Sequence, residues 1–145
     1  ALGLLLGPKQ GIALAALLCA AAGCASSGGA PAMRQDCEDR FDTVWLAAQT
    51  AVSRLGGSVV SATRTSGSIL GRLDSDVLGA EIDLHITLSR LPDHQPGTLQ
   101  PVTVRIQATD PRVAEPDAYR VEELRSLEER YLRLVGERAA CGGPS

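Results

Sequence analysis

The chain has 145 residues, of which 44% are hydrophobic and only 3% aromatic, and its formal net charge is −3. This size and composition are typical of one small globular domain with an aliphatic core, and they argue against a disordered chain. From Cys24 onward, 13 arginines are interleaved with 17 acidic residues, so the basic stripe that nucleic-acid binding needs is missing and no nucleic-acid partner is expected.

The first segment is predicted to be a targeting signal. Lys9 precedes an apolar run, residues 11–20, which has the length of a secretory signal core and is too short to span a bilayer. The small residues Ala21-Ala22-Gly23 then stand directly before Cys24. This arrangement resembles the lipobox of bacterial lipoproteins. The resemblance implies that residues 1–23 are a signal peptide and that Cys24 becomes the lipidated N-terminus.

Two other interpretations of this segment compete with the lipobox at Cys24. Cys19 is a competing lipidation site, but the bulky Leu18 directly before it disfavours cleavage there. The run could also be a buried alanine-rich helix, although the serine, glycine and proline that follow Cys24 argue against one. Those residues predict a flexible tether over 24–35. In the lipoprotein family, a residue other than Asp at position 25 implies the outer membrane, facing the periplasm.

A helix is predicted from Cys37 to the glycine pair Gly56-Gly57, which is suited to end it. Its apolar residues recur at spacings of three and four and make one continuous face: Phe41, Val44, Trp45, Ala48, Ala51, Val52 and Leu55. Acidic residues that complement the helix dipole stand at its start: Asp36, Glu38 and Asp39.

Four strands are predicted next. Two short ones, Ser58 to Thr63 and Ser68 to Leu73, flank a turn. The segments AEIDLHITLSRL and PVTVRIQAT then alternate strictly between apolar and polar residues, on either side of a Pro- and Gly-containing loop at 92–97. Strict alternation predicts two antiparallel strands with one covered face and one solvated face. Leu84 and Val104 should therefore be buried.

A last helix is predicted from about Asp117, with Leu124, Leu127, Tyr131, Leu134 and Val135 along one stripe. The resulting order is αββββα. It predicts an α+β two-layer sandwich, in which both helices cover one face of a four-stranded antiparallel sheet. The single domain is expected over residues 36–141, followed by a tail at 142–145.

Residues 41–73 resemble the small α/β domains of bacterial outer-membrane accessory lipoproteins, including the C subunit of the β-barrel assembly machinery. The resemblance is carried by Trp45 on the helix, Leu55-Gly56 at its end, and Thr65-Ser66-Gly67-Ser68-Ile69 at the following turn. It covers about a third of the chain and contains no catalytic motif. It implies a non-enzymatic accessory role, by analogy of fold only.

The polar residues do not form a recognisable catalytic or metal motif. Nucleophilic catalysis needs Ser or Cys beside His, and the two histidines, His85 and His94, are interpreted as surface residues. Asp74 and Asp76 could begin a calcium loop, but further ligands at regular spacing are lacking, so a turn is favoured. No enzyme activity, cofactor or metal is expected.

The solvated sheet face is the candidate interaction surface. The competing interpretation, which the residue types alone favour, is the ordinary solvated side of a sheet. An outer strand is the other place where a partner strand could add. The residues predicted to lie on this face are Glu81, Asp83, His85, Thr87, Thr103, Arg105 and Gln107.

Cys37 and Cys141 are predicted to form a disulfide. They are the cysteines that remain once Cys19 leaves with the signal and Cys24 carries lipid, in an oxidising compartment. If helices and strands alternate in direction, the last helix ends at the level where the first begins, which brings the two sulfurs together.

The sequence therefore predicts a lipid-anchored envelope protein that contacts another envelope protein without catalysis. The alternative is a small-ligand or metal-binding sensor that uses the loops at Asp74 to Gly79 and Pro92 to Gly97. An unrecognised hydrolase is a third possibility.

Overall fold

The computed structural model describes residues 30–90 and 101–143. These residues form five strands and two helices: β1 (Met33–Glu38), α1 (Phe41–Arg54), β2 (Ser58–Thr63), β3 (Ser68–Ser75), β4 (Ala80–Arg90), β5 (Pro101–Thr109) and α2 (Ala118–Gly136). The expected signal peptide with Cys19 and Cys24 lies outside the described residues, and so does the loop that contains His94.

The strands make one antiparallel sheet in the order β1-β5-β4-β3-β2. The two helices contact each other; α2 also packs on β5 and β1, while α1 packs on β2, β3 and β5. The α+β two-layer sandwich expected from the sequence is therefore confirmed. The expectation of four strands is wrong, since the sheet has five.

The additional strand is β1, where the sequence analysis placed the end of the tether and the start of the first helix. That helix begins at Phe41 rather than at Cys37. β1 pairs with β5 along its whole length, from Met33 opposite Ile106 to Glu38 opposite Pro101. Asp36 and Glu38 are thus strand residues and not charges at a helix end.

Three residues of β1 face the core: Gln35 and Cys37 are buried, and Met33 is partly buried against the core. The buried Gln35 is tolerated because its side-chain amide donates a hydrogen bond of 2.8 Å to the carbonyl of Leu132 in α2. This hydrogen bond offsets the free energy that is lost when the side-chain amide is removed from water.

The residues after α2 run along the outer edge of β1. The amide of Glu38 donates to the carbonyl of Ala140 at 2.7 Å, and the amide of Gly142 donates to the carbonyl of Asp36 at 2.9 Å. Between these two bonds, the sulfur atoms of Cys37 and Cys141 lie 2.05 Å apart, at the distance of a disulfide.

The core lies between the sheet and the helices. Leu84 and Val104 are fully buried, whereas His85 and Arg105 are exposed, as the alternation predicts. Tyr131 of α2 is also buried, and its hydroxyl donates to the carbonyl of Ala48 in α1 at 3.0 Å. Burial raises the pKa of this tyrosine, so the hydroxyl stays protonated and keeps the two helices linked.

Candidate functional site: the polar face of the sheet

The polar face is the side of the sheet opposite the helices. All seven residues that the sequence analysis assigned to it lie there, because side chains alternate along β4 and β5 and the two strands are in register. His85 is opposite Gln107, and Thr87 is opposite Arg105. The seven residues are Glu81, Asp83, His85, Thr87, Thr103, Arg105 and Gln107.

The β3–β4 end of the polar face is acidic, and two of its carboxylates share one arginine. The Nε atom of Arg72 lies 3.1 Å from Oε1 of Glu81 and 3.0 Å from Oδ1 of Asp83. The hydrogen bond to Asp83 raises the pKa of Arg72, and the nearby carboxylate charges act in the same direction. These partly exposed pairs offset charge locally and are screened by solvent, so they contribute little to stability.

The β1–β5–β4 part of the polar face forms a basic groove with a volume of about 630 Å³. In the strand register Arg34 of β1 faces Arg105 of β5, and Arg105 in turn faces Thr87 of β4. No carboxylate is among the groove's described lining residues, which are Ala32, Arg34, His85, Thr87, Ser89, Thr103, Arg105 and Gln107.

Three residues of the groove are not predicted from the sequence: Ala32, Arg34 and Ser89. Ser89 continues the outward alternation of β4 and could have been added on that signal. Arg34 could not have been found, because its place depends on β1, which the sequence pattern does not reveal. The acidic residue beside the groove is Asp36, whose Oδ1 accepts a 2.7 Å hydrogen bond from the Thr103 hydroxyl.

The segment considered for calcium binding is the turn between β3 and β4, the interpretation that the sequence favours. Asp74 stands opposite Glu81 within the strand pair, and Asp76 is exposed. The hydroxyl of Ser75 accepts a bond from the amide of Leu78, which closes the turn. Across residues 30–90 and 101–143, no group of three or more His, Cys, Asp or Glu side chains is placed to hold a metal ion.

The two edges of the sheet differ. The outer edge of β1 is paired near Cys37 with the chain that follows α2. The opposite edge is β2, whose pairing with β3 shifts register between Val59 and Ser61, so that Val60 is the extra residue of a bulge and is 49% exposed. Bulges of this kind discourage the addition of a further strand.

A second, smaller cavity of about 480 Å³ lies where α1 begins. Phe41 stacks on Trp45 with ring centres 6.0 Å apart. The guanidinium of Arg90 lies 4.4 Å from the centre of the Phe41 ring, and that of Arg64 lies 5.7 Å from it. Arg64 also pairs with Asp42. The aromatic pair on the apolar face of α1 is therefore only partly buried, and two guanidinium groups lie beside the Phe41 ring.

Two buried carboxyl groups lie away from the polar face. Asp110, just after β5, is fully buried and accepts a hydrogen bond of 2.7 Å from the guanidinium of Arg120 in α2. Glu128 of α2 is also fully buried, and desolvation raises its pKa to about 7. Both join α2 to the end of β5 and have a structural role.

No protein-family model matches the chain, and no curated protein or solved structure is significantly similar to it. In the part of the chain that the structure describes, neither helix combines the length and apolar character needed to cross a membrane.

Proposed function

We propose that this chain is a lipid-anchored protein of the bacterial envelope that binds another envelope protein through the polar face, without catalysis. The observation that carries the proposal is that the helices cover only one face of the sheet. Both helices cover the apolar face of the sheet, and the opposite face presents charged and hydroxyl-bearing side chains from the central strands to solvent.

The anchor is inferred from the sequence around Cys24, which resembles a lipobox. Eight residues separate Cys24 from β1. A chain of that length and composition spans on the order of 15 Å, so a domain held by lipid at Cys24 stays beside the membrane surface. The cysteine pair at disulfide distance supports an oxidising compartment such as the periplasm.

The chemistry of the polar face supports protein binding. Standard protein interfaces bury about 800 Å² on each partner, and arginine is enriched in them. Arg34 and Arg105 stand side by side near the middle of the β1–β5–β4 surface. A broad face with paired arginines and several hydroxyl groups provides hydrogen bonds to a partner without requiring a deep pocket.

Site-specific photocrosslinking in intact cells tests this proposal. A photoreactive phenylalanine analogue at Thr87 samples the polar face, and the same analogue at Leu46, which is 66% exposed on α1, samples the helical side. We expect a discrete protein adduct from position 87 that is missing from position 46. Equal adducts at both positions, or none at position 87, would refute docking on the polar face.

A further inference from the structure

We infer that one end of the domain rests on a zwitterionic phospholipid surface. This end, which we call the loop end, consists of the turn between β3 and β4 (76–79) and the segment that leads from β5 into α2 (110–119). The inference rests on the lipid anchor of the proposed function, and it adds a second membrane contact that the domain makes through its own side chains.

The loop end exposes large apolar side chains. Val77 in the turn is 61% exposed, and Tyr119 at the start of α2 is 60% exposed. Pro111, Ala114 and Ala118 of the segment 110–119 are exposed as well. Tyrosine is enriched where a membrane meets water, because its ring is apolar and its hydroxyl group stays hydrated. These side chains therefore suit the boundary between lipid and water.

Hydrogen bonds hold the loop end together. The guanidinium group of Arg112 donates a hydrogen bond of 3.2 Å to the carbonyl of Gly79 in the turn. The guanidinium group of Arg120 in α2 donates one of 2.7 Å to the buried carboxylate of Asp110. The turn and the segment 110–119 therefore form one surface, and their apolar side chains can contact a membrane together.

The turn lies well beyond the level of Ala108. Ala108 in β5 pairs with Leu84 in β4, and β4 begins at Ala80, four residues closer to the turn. At a rise of about 3.3 Å per residue, the turn therefore starts about 13 Å beyond Ala108. Val77 thus protrudes from this end of the sheet.

The start of α2 protrudes in the same direction. Glu128 of α2 accepts a hydrogen bond from Ala108, whereas Leu132, one helical turn later, accepts one from Gln35. Gln35 pairs with the residue of β5 that lies four positions before Ala108, so α2 runs away from the loop end. Tyr119 precedes Glu128 by nine residues, which is about 13 Å of helix. The turn and the start of α2 therefore extend to a similar level.

The chain enters the domain close to the loop end. Ala30 is fully buried, and its carbonyl accepts a hydrogen bond of 3.2 Å from the side-chain amide of Gln107. Five residues separate Ala30 from Cys24, so at full extension these two residues lie at most about 20 Å apart. This reach exceeds the roughly 13 Å by which the loop end protrudes beyond Ala108. A lipid at Cys24 therefore allows the loop end to touch the membrane.

The anchor makes a small second contact sufficient. When two binding elements are linked, the second contact becomes an intramolecular step with a high effective concentration. Burial of Val77 and Tyr119 therefore only has to select one orientation of a domain that is already held at the membrane. In this orientation the sheet stands on the membrane by one end, and the polar face stays open to a partner beside it.

The charges of the loop end favour zwitterionic over anionic lipid. Its exposed acidic residues are Asp76, Glu115 and Asp117, and its exposed arginine is Arg112. An anionic membrane surface attracts basic segments and repels acidic ones. The surface that fits the loop end is therefore rich in phosphatidylethanolamine or phosphatidylcholine.

Quenching of tryptophan fluorescence by lipid tests the inference. Trp45 is the only tryptophan of the chain, so Trp45→Phe gives a dark background in which Val77→Trp or Tyr119→Trp is the single reporter. The full chain is isolated from membranes and reconstituted into vesicles of phosphatidylethanolamine and phosphatidylcholine with brominated acyl chains, which quench tryptophan on contact. We expect quenching and a blue-shifted emission at both positions.

Two further positions provide matched controls in the same vesicles. Leu46→Trp reports on an apolar side chain that is 66% exposed on α1, and Thr87→Trp reports on the polar face. Both reporters should remain unquenched. Circular dichroism verifies that each variant folds. Equal quenching at position 46, or the absence of quenching at position 77 or 119, would overturn the inference.

A charge substitution tests whether the contact depends on Val77. Val77→Asp places a carboxylate at the lipid boundary and should lower the equilibrium constant for the membrane-contacting orientation about tenfold, so that quenching of the Tyr119→Trp reporter falls. Val60→Asp is the matched control, because Val60 is 49% exposed on β2, away from the loop end. It should leave the quenching unchanged, and equal effects of the two substitutions would contradict the inference.

Other occupants of the loop end give different results. Quenching that requires phosphatidylglycerol in the vesicles would show an anionic-lipid site. A photoreactive phenylalanine analogue at Tyr119 in intact cells should give no discrete protein adduct. An adduct with another protein would show protein docking at the loop end, and an adduct of twice the mass of the chain would show a second copy. Each of these three results overturns the inference.

The inference and the proposed function fail separately. If positions 77 and 119 stay unquenched while the protein remains in the membrane fraction and position 87 gives its protein adduct, the inference is wrong and the proposed function stands. If positions 77 and 119 are quenched while position 87 yields no adduct in cells, the loop end contacts lipid and protein docking on the polar face is wrong. Quenching at position 87 in place of positions 77 and 119 would overturn both.

Discussion

Glu128 of α2 accepts, through Oε2, a hydrogen bond of 2.8 Å from the backbone amide of Ala108 in β5. β1 stops pairing with β5 at Ile106, so no β1 residue pairs with Ala108, and the helix supplies an acceptor instead. The other carboxylate oxygen, Oε1, is buried and has no hydrogen-bond partner in the described part of the chain. Burial raises the pKa of Glu128 to about 7.

The raised pKa predicts that the protein loses stability as pH rises. In the unfolded chain Glu128 titrates near 4.5, and in the folded protein near 7. Between these two pH values the folded protein keeps a proton on Glu128 that the unfolded chain has lost. From this group alone, the free energy of unfolding should fall by about 2 to 3 kcal/mol from pH 4.5 to pH 7. Urea unfolding at several pH values measures it.

Glu128→Gln should remove this part of the pH dependence, because the amide does not titrate. Glu122→Gln, at an exposed position of the same helix, should keep it. A stability difference between the unsubstituted protein and Glu128→Gln that stays constant from pH 4.5 to pH 7 would contradict the buried, protonated carboxyl.

Gly67 and Gly79 both have positive φ angles, of 70° and 60°, but only Gly67 is crowded. A Cβ atom at Gly67 would lie 2.2 Å from the carbonyl oxygen of Leu88, whereas one at Gly79 meets nothing within 4 Å. We predict that Gly79→Ala costs about 1 kcal/mol through backbone strain alone, and that Gly67→Ala costs at least about 2 kcal/mol more. Equal losses in thermal unfolding would refute the close approach of this turn to β4.

The long central strands were predictable from the sequence, and β1 was not. Leu84 and Val104 occupy strict two-residue patterns that assign each side chain to a face without reference to the rest of the chain. The segment MRQDCE has no such pattern, because one inward residue is polar. Gln35 is satisfied by the carbonyl of Leu132, which lies 97 positions away in the sequence. Only the assembled fold provides that partner.

The same distinction applies to the basic groove. Arg105 was placed on the polar face because β5 alternates. Its neighbour Arg34 depends on pairing between the first and last strands, and that pairing leaves no local signal in the sequence. Glu128 did leave a signal, since it lies four residues after Leu124 on the apolar stripe of α2. An acidic residue at that position indicates a buried carboxyl in need of a donor.

Cys24 is predicted to be lipidated and to become the mature N-terminus. Cys24→Ser should release the protein from the membrane fraction or leave the signal uncleaved, and intact-protein mass spectrometry should show the loss of the lipid. Cys19→Ser is the matched control and should leave fractionation and mass unaffected, because bulky Leu18 disfavours cleavage at that site. If Cys19→Ser gives the effect instead, the lipidation site has been misassigned.

The last prediction concerns Cys37 and Cys141, whose Cα atoms are 3.8 Å apart and whose positions are separated by 104 residues in the sequence. The compartment proposed for this protein is oxidising, so we expect one disulfide in protein isolated from it. Closing a loop of about 100 residues stabilises a fold by roughly 4 to 5 kcal/mol in the chain-entropy model. The double variant Cys37→Ser, Cys141→Ser should therefore unfold at a much lower urea concentration.

The double variant should nevertheless keep its fold, because the hydrogen bonds from Glu38 to Ala140 and from Gly142 to Asp36 do not depend on the sulfurs. Reduction of the unsubstituted protein should lower its stability to that of the double variant, and the same reductant should leave the variant unchanged. Mass spectrometry after alkylation, without reduction, provides the direct measurement. Two alkylated thiols at these positions in mature envelope protein would show that the edge of β1 is held by its backbone hydrogen bonds alone.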